Sequence, residues 1–379
     1  MKAIVRMRMT GVSLIELMVA LAISSFLILG LVEIFSASRT AYQMSEGMAR
    51  VQENSRFAMD YLERDIRMAG HYGCVNDQSH LQTPGALQPH FGATPSFPLD
   101  FAVSIQGYEA PNTAPDGTLT LGGTWSLPAG LPTLITALSP RPGSDIIVLR
   151  YLNNEGAPVT GIAKPGASET VTVDSGRWSA LTSGGVTTPT LFGIADCSHA
   201  DIFAATGTNT VTVAAAASPT TSLMSRYTPQ PSGQTMLYRA ESLVYYVGTG
   251  ASGEPALFRA RFNGTAYVPE ELVEGIENLQ LIYGLDRVTD LTTTPPSGYI
   301  DEQNPANAGG AWNANKWRRV GLVQVGMLAR SPGPAAATQA AGTSRRVLGV
   351  SFAPPTTNDA RYRASYEATI ALRNRLYGN

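Results

Sequence analysis

The chain of 379 residues has few cysteines and few charges, and both shortages exclude classes of protein. Two cysteines are too few for a cysteine-rich zinc module or a dense disulfide scaffold. Charged residues make up 15% of the chain, well below the usual share of about a quarter, and the formal net charge is -2. This charge balance argues against nucleic acid as the main partner.

The motifs of the common enzyme classes are also missing. The sequence has no GxSxG, no P-loop, no GxGxxG before a helix and no histidine pair with metal-ligand spacing. An acidic segment, formed by Asp286, Asp290, Asp301 and Glu302, lacks the DxDxDG spacing of a calcium loop. We therefore expect no catalytic site, no metal and no cofactor. The length of the chain corresponds to about two ordinary domains.

The first 35 residues combine a basic start with a long apolar run. Lys2, Arg6 and Arg8 form a leader without acidic residues. The run from Val12 to Val32 would make a helix of about 31 Å, which is enough to cross a bilayer. Because basic flanks stay in the cytoplasm, the rest of the chain is expected to face outward.

Glu16 lies inside the start of this apolar run. A carboxylate there costs on the order of a few kcal/mol in a membrane, so it indicates a function and a positive partner at the same depth. Cleavage after Gly11 would create such a partner, the α-amine of Val12.

The basic leader, Gly11, Val12 and the segment Ser13–Val19 resemble the class III signal of type IV pilins and type II secretion pseudopilins. The resemblance implies that a prepilin peptidase cleaves between Gly11 and Val12 and methylates Val12, and that Glu16 serves in assembly. Val12 stands where family members usually carry Phe or Met. An uncleaved membrane anchor and an ordinary secretory signal remain as alternatives.

Beyond the apolar run the sequence keeps a helical period. An apolar stripe recurs every three or four residues, as in an amphipathic helix. The helix is expected to end near Gly70, because Gly70 and Gly73 follow in close succession. A single helix over 12–69 would be about 87 Å long, with a transmembrane half at 12–35 and an amphipathic half at 36–69. The alternative is a short anchor followed by a separate coiled-coil helix. The stripe consists of Ala41, Met44, Met48, Val51, Ser55, Ala58 and Leu62.

The remainder, 70–379, reads as a β-rich globular head. Met236–Val247 lacks alternation, so we expect a strand buried on both faces. Glu270–Glu277 is expected to form a short helical turn, and 76–143, 286–316 and 331–343 are expected to be long loops. The fold class is therefore α+β, with one long helix against an antiparallel sheet. The other predicted strands are Asp145–Tyr151, Thr170–Val173, Asp201–Ala205, Thr210–Ala214, Ala256–Phe262, Leu279–Tyr283, Val320–Leu328 and Ser365–Arg373.

Four blocks of the chain are similar to the PilW-type minor pilins: ARVQENSRFAMDYLERDIRMAGHYGC (49–74), DCSHADIF (196–203), EGIENLQLIYGLD (274–286) and RYRASYEATIALRNR (361–375). The first two contain Cys74 and Cys197, and the resemblance, together with an oxidising periplasm, implies a disulfide between them. Two free thiols, or a Cys₂His₂ metal site with His71 and His199, are the alternatives.

The resemblance implies a structural minor pilin of the type IV pilus in a minor-pilin complex that primes assembly at the filament tip. A head of this length has an expected radius of gyration of about 20 Å, which is hard to repeat along a close-packed shaft. Implied partners are other minor pilins, the major pilin, the prepilin peptidase, a tip adhesin and the inner membrane. The chain would cross that membrane once, with a periplasmic head, before it enters the pilus. A type II secretion pseudopilin and a signal-anchored periplasmic enzyme or binding protein are the rival functions.

Overall fold

The computed structural model describes residues 11–76, 81–91, 97–213, 222–335 and 344–376. The basic leader before Gly11 and part of the predicted loop 331–343 lie outside the described residues. Helix α1 runs without a break over Leu14–Met68, about 82 Å, as the helical period predicts. Further short helices are α2 (Thr133–Thr136), α3 (Trp178–Leu181), α4 (Leu223–Arg226), α5 (Ala314–Arg318) and α6 (Arg373–Leu376).

The strands follow α1 and fill the head. All but two of the strand pairings are antiparallel; β3 with β9 and β5 with β18 run parallel in the described residues. The strands are β1 (His71–Tyr72), β2 (Val75–Asn76), β3 (Leu87–Pro89), β4 (Ile105–Tyr108), β5 (Thr118–Thr120), β6 (Ile146–Ala163), β7 (Glu169–Val173), β8 (Leu191–Ala195), β9 (Ala200–Thr208), β10 (Thr210–Val213), β11 (Met236–Thr249), β12 (Pro255–Phe262), β13 (Tyr267–Glu274), β14 (Ile276–Asp286), β15 (Ile300–Asn304), β16 (Val320–Arg330), β17 (Arg345–Val347), β18 (Val350–Ala353) and β19 (Arg363–Ala371).

The largest sheet closes on itself. Strand β11 pairs with β6 along one edge and with β8 and β12 along the other. From β8 the pairings continue through β9, β10 and β7 back to β6, so six strands form a closed ring. Closure leaves these strands with few free edges, and their inward side chains form a separate apolar core. This core includes Val159, Val171, Phe192, Ile194, Phe203, Val211 and Leu237.

Helix α1 packs on a second core beside this ring. The four-stranded sheet has the order β15-β14-β16-β19, and the helix contacts β19, β16 and β14 as well as β6 and β13. Val51, Ala58 and Leu62 of α1 are fully buried there, so the predicted stripe is correct from Val51 onward. Ala41 and Met48 are exposed instead, because the face of α1 that meets the head at Gly47 is not the face that carries these two side chains.

The predicted strands are present, and β11 is buried over nearly its whole length as expected. The helical turn predicted at Glu270–Glu277 is wrong. Strand β13 continues to Glu274, and Gly275 turns the chain with a φ of +84° before β14 begins. The predicted loop 76–143 contains β3, β4, β5 and α2, and 286–316 contains β15. These strands are too short for a periodic signal, and distant partners hold them, such as β6 for β4.

Candidate assembly segment and its attachment to the head

The first half of α1 carries the candidate assembly residues away from the head. Its most apolar window of 18 residues has a mean hydropathy of 2.4 and no buried residue. Leu14, Phe26 and Phe35 are each more than 70% exposed, and they lie on different sides of the helix. A helix that is apolar all round needs an apolar environment, either lipid or the helices of other chains. By length and composition, this is a helix that can cross a membrane.

Ser13 caps the start of α1. Its hydroxyl accepts a hydrogen bond from the backbone N–H of Glu16 at 3.2 Å, and Leu17 N–H donates to the Ser13 carbonyl at 3.1 Å. The carboxylate of Glu16 lies in the first helical turn, where the helix dipole favours a negative charge. Gly11 and Val12 precede the cap and are exposed. A chain that begins at Val12 would therefore keep the complete cap.

Gly47 is the point where the helix meets the head. A Cβ on this residue would lie 2.5 Å from the Cβ of Ala335, so only glycine permits this approach. About two helical turns further on, the Asn54 side chain donates a hydrogen bond to the Glu274 carbonyl at 2.9 Å. Together these contacts fix the place where the exposed arm leaves the head.

Asp65 anchors the second half of α1 through a buried charge. Its Oδ2 lies 3.2 Å from Nη1 of Arg259 on β12, and both side chains are more than 90% buried. The Tyr245 hydroxyl donates to the same carboxylate, and burial raises the pKa of Tyr245 well above its ordinary value. A second acid, Glu270, lies 2.8 Å from Nη2 of Arg259. The helix is therefore fixed to the sheet by a specific ion pair as well as by apolar packing.

The end of α1 is fixed by backbone contacts. Gly70 N–H donates to the Arg150 carbonyl at 3.2 Å, and the Asn374 side chain donates to the Arg67 carbonyl at 3.0 Å. Arg150 is fully buried and donates to the carbonyls of Pro98 and Val103 at 2.8 and 2.6 Å. The last helical turn is thus attached to both the central sheet and the C-terminal segment.

Cys74 and Cys197 are joined by a disulfide bond, with their Cα atoms 4.7 Å apart. The bond connects the segment directly after α1 to the turn between β8 and β9. Asp196 shapes that turn by accepting hydrogen bonds from the N–H groups of Ser198 and His199, both at 2.7 Å. Since both thiols are in the bond, neither can serve in a Cys₂His₂ metal site. Burial lowers the pKa of the nearby His71.

Two family models match the chain on these same elements. Residues 244–374, from β11 to α6, match the family Type IV Pilus-assembly protein W, and residues 6–32 match the Prokaryotic N-terminal methylation motif. The two matches support a PilW-type minor pilin of the type IV pilus. No curated protein and no solved structure matches it.

The two matches cover the start of α1 and the C-terminal part of the head of the minor pilin, and leave the segment between them unmatched. The methylation motif contains Gly11, Val12 and Glu16, and its apolar helix fits an anchor in the inner membrane. The PilW match contains the four-stranded sheet that packs on α1. Most of the closed ring lies outside both matches, as do the blocks 49–74 and 196–203.

Three residues of the attachment were missed by sequence reasoning. In the sequence, Gly47 reads only as a residue that weakens a helix, whereas in the structure it allows α1 to approach Ala335 closely. Arg259 lies 194 positions after Asp65 in the chain. The local signal for the ion pair was that Asp65, three residues after Leu62, continues the spacing of the apolar stripe with an acid.

Proposed function

We propose that this minor pilin is cleaved between Gly11 and Val12 by a prepilin peptidase, is methylated on Val12, and joins other minor pilins in a complex that primes pilus assembly. It belongs to a family of structural proteins, and its role requires no catalysis by its own residues. The observation that carries the proposal is the fully exposed apolar arm of α1, which ends in a capped turn at Ser13.

Cleavage and assembly are linked by the position of Glu16. The new amine on Val12 would lie four residues before Glu16, which is about one helical turn. Two opposite charges about 4 Å apart attract by roughly 4 kcal/mol at an effective dielectric of 20, and part of this gain offsets their desolvation. The amine could belong to the same chain or to a neighbouring pilin, and in the second case Glu16 would bring the next subunit into register.

The size of the head supports a proposed placement at the filament tip. The ring and the four-stranded sheet together make a head much larger than the segment of α1 that enters a filament core. A shaft of closely spaced subunits would have to fit this head at every step, whereas a single terminal copy meets no such restriction. The major pilin would then follow below, and a tip adhesin could bind above.

Two experiments test the proposal. Intact-mass analysis of the native protein should give a chain that begins at methylated Val12, and Gly11→Val should keep the leader. Gold-labelled antibody against the head should mark one end of sheared pili. A native chain that begins at Met1 would refute processing. Label along the whole shaft would refute the tip placement, and co-purification with type II secretion components alone would favour a pseudopilin.

A further inference from the structure

A cleft opens on the head where β11, β12 and β13 meet the loop before β8. It has a volume of about 340 Å³, within the range of small-molecule sites. Its floor contains Arg239 and Glu241 of β11 and Arg261 of β12, and one wall is the loop that starts at Gly184. A second depression of about 310 Å³ shares these four residues and extends toward α1.

The floor of the cleft carries a surplus positive charge. Glu241 is 3% exposed and is held between two arginines, with Oε1 2.6 Å from Nε of Arg239 and Oε2 2.8 Å from Nε of Arg261. Two guanidinium groups thus face one carboxylate. The neighbouring charges balance each other, because Arg64 and Arg259 pair with Asp65 and Glu270.

Several donors on this floor remain available. Within the part of the chain that the structure describes, Nη2 of Arg239 and both Nη atoms of Arg261 have no acceptor. The backbone N–H groups of residues 185–188 also have no acceptor among the described residues. Gly184 and Gly185 shape this loop with φ of +67° and +81°. Guanidinium groups in a cleft, with backbone N–H groups in its wall, are common donors to an anion.

The walls of the cleft are of mixed polarity. Val186, Pro189, Val268 and Pro269 offer apolar surface, and the Val268 side chain is 52% exposed. The side chains of Thr187, Thr188 and Asn263 line the same space with hydroxyl and amide groups. Such a combination suits a molecule with one charged group, several hydroxyl groups and an apolar ring face.

We propose that this cleft binds a small carboxylated sugar, with its carboxylate on Nη2 of Arg239 and the two Nη groups of Arg261 and its ring against Val186 and Val268. One surplus positive charge matches the single charge of a carboxylate better than the double charge of a phosphate. The proposal does not depend on the role of α1 in assembly.

Calorimetry on the full chain in detergent micelles tests the site with glucuronate as the probe. Glucose supplies the same ring without the charge, acetate supplies the charge without the ring, and phosphate supplies a dianion. Glucuronate should bind at least tenfold more tightly than each of the three. Equal or tighter binding of glucose, acetate or phosphate would overturn the proposal, as would the absence of glucuronate binding.

Matched variants at an exposed wall position separate charge from folding. Thr188→Glu places a negative charge in the cleft and should weaken glucuronate binding at least tenfold, whereas Thr188→Gln, which has the same length but no charge, should weaken binding much less. Arg261→Gln removes the free Nη donors while Arg239 still pairs with Glu241, and it should weaken binding to a similar extent. Unchanged binding in Thr188→Glu, or equal losses in Thr188→Glu and Thr188→Gln, would contradict the anion site.

Discussion

Asp65 of α1 and Arg259 of β12 form a buried ion pair with 3.2 Å between Oδ2 and Nη1. The pair connects the helix to the sheet at a point where both partners are excluded from water. Removing one member of a buried pair typically costs about 3–5 kcal/mol. Because Arg259 would keep Glu270 at 2.8 Å, the loss from removing Asp65 should lie toward the lower end of this range.

Asp65→Asn should therefore lower the melting temperature of the head clearly. The matched control is Asp60→Asn, one helical turn earlier, because Asp60 is exposed and has no ion pair among the described residues. Circular dichroism of both variants in detergent micelles measures the difference. Equal melting temperatures for Asp65→Asn and the unmodified chain would show that apolar packing alone holds the helix.

The helix could be predicted from the sequence, but this pair could not. The 3.6-residue period between Val51 and Leu62 is a local signal, and the structure confirms it. The partner of Asp65 lies 194 residues away, and no local pattern indicates which arginine it would meet. The strands rich in β-branched residues were likewise evident, whereas closure of the ring depends on pairings between distant strands such as β6 and β11.

Gly47 provides a second prediction at the attachment. Alanine favours helices over glycine by about 1 kcal/mol, so Gly→Ala normally stabilises a helix. At Gly47 the added Cβ would lie 2.5 Å from the Cβ of Ala335, so Gly47→Ala should lower the melting temperature. Gly30→Ala is the control, because a Cβ there has no contact within 4 Å and should not lower it. A higher melting temperature in Gly47→Ala would mean that the helix and Ala335 separate without cost.

The disulfide gives a third prediction. It closes a sequence separation of 123 residues, for which chain entropy alone predicts a stabilisation of about 4–5 kcal/mol. Cys74→Ser should lower the melting temperature, and Cys197→Ser and the double variant should lower it by the same amount, because all three lack the same bond. If free thiols titrate in protein taken from the periplasm, the bond does not form in the cell.

A buried pair of acids predicts how stability depends on pH. Asp145 is fully buried, and its carboxylate accepts hydrogen bonds from the N–H groups of Ala110 and Leu281, both at 2.8 Å. Burial raises the pKa of Asp145 to about 7, and burial together with the charge of Asp145 raises the pKa of Glu109 well above its ordinary value. Raised carboxyl pKa values mean that the folded state holds protons that the unfolded state releases.

This contribution to stability is complete below the ordinary carboxyl pKa and is lost as the pH rises through the raised values. The melting temperature should therefore fall as the pH rises from about 4, the ordinary carboxyl pKa, to about 7, the raised pKa of Asp145. Glu109→Gln removes one acid of the pair and should flatten this dependence. The control, Asp290→Asn, changes an exposed acid and should retain it. A melting temperature that rises over this interval would contradict the raised pKa values of Asp145 and Glu109.

We propose that the capped apolar arm of α1 assembles through Glu16, and the number of surface pili on Glu16→Ala cells measures this contact. We expect normal membrane insertion and leader cleavage but fewer pili, with a partial loss if the chain is terminal, and an intermediate count for Glu16→Asp. Glu33→Ala is the control, because Glu33 lies at the outer end of the apolar run, where water can reach a carboxylate. Normal numbers of pili and normal twitching in Glu16→Ala, with the protein at its native level, would contradict the account.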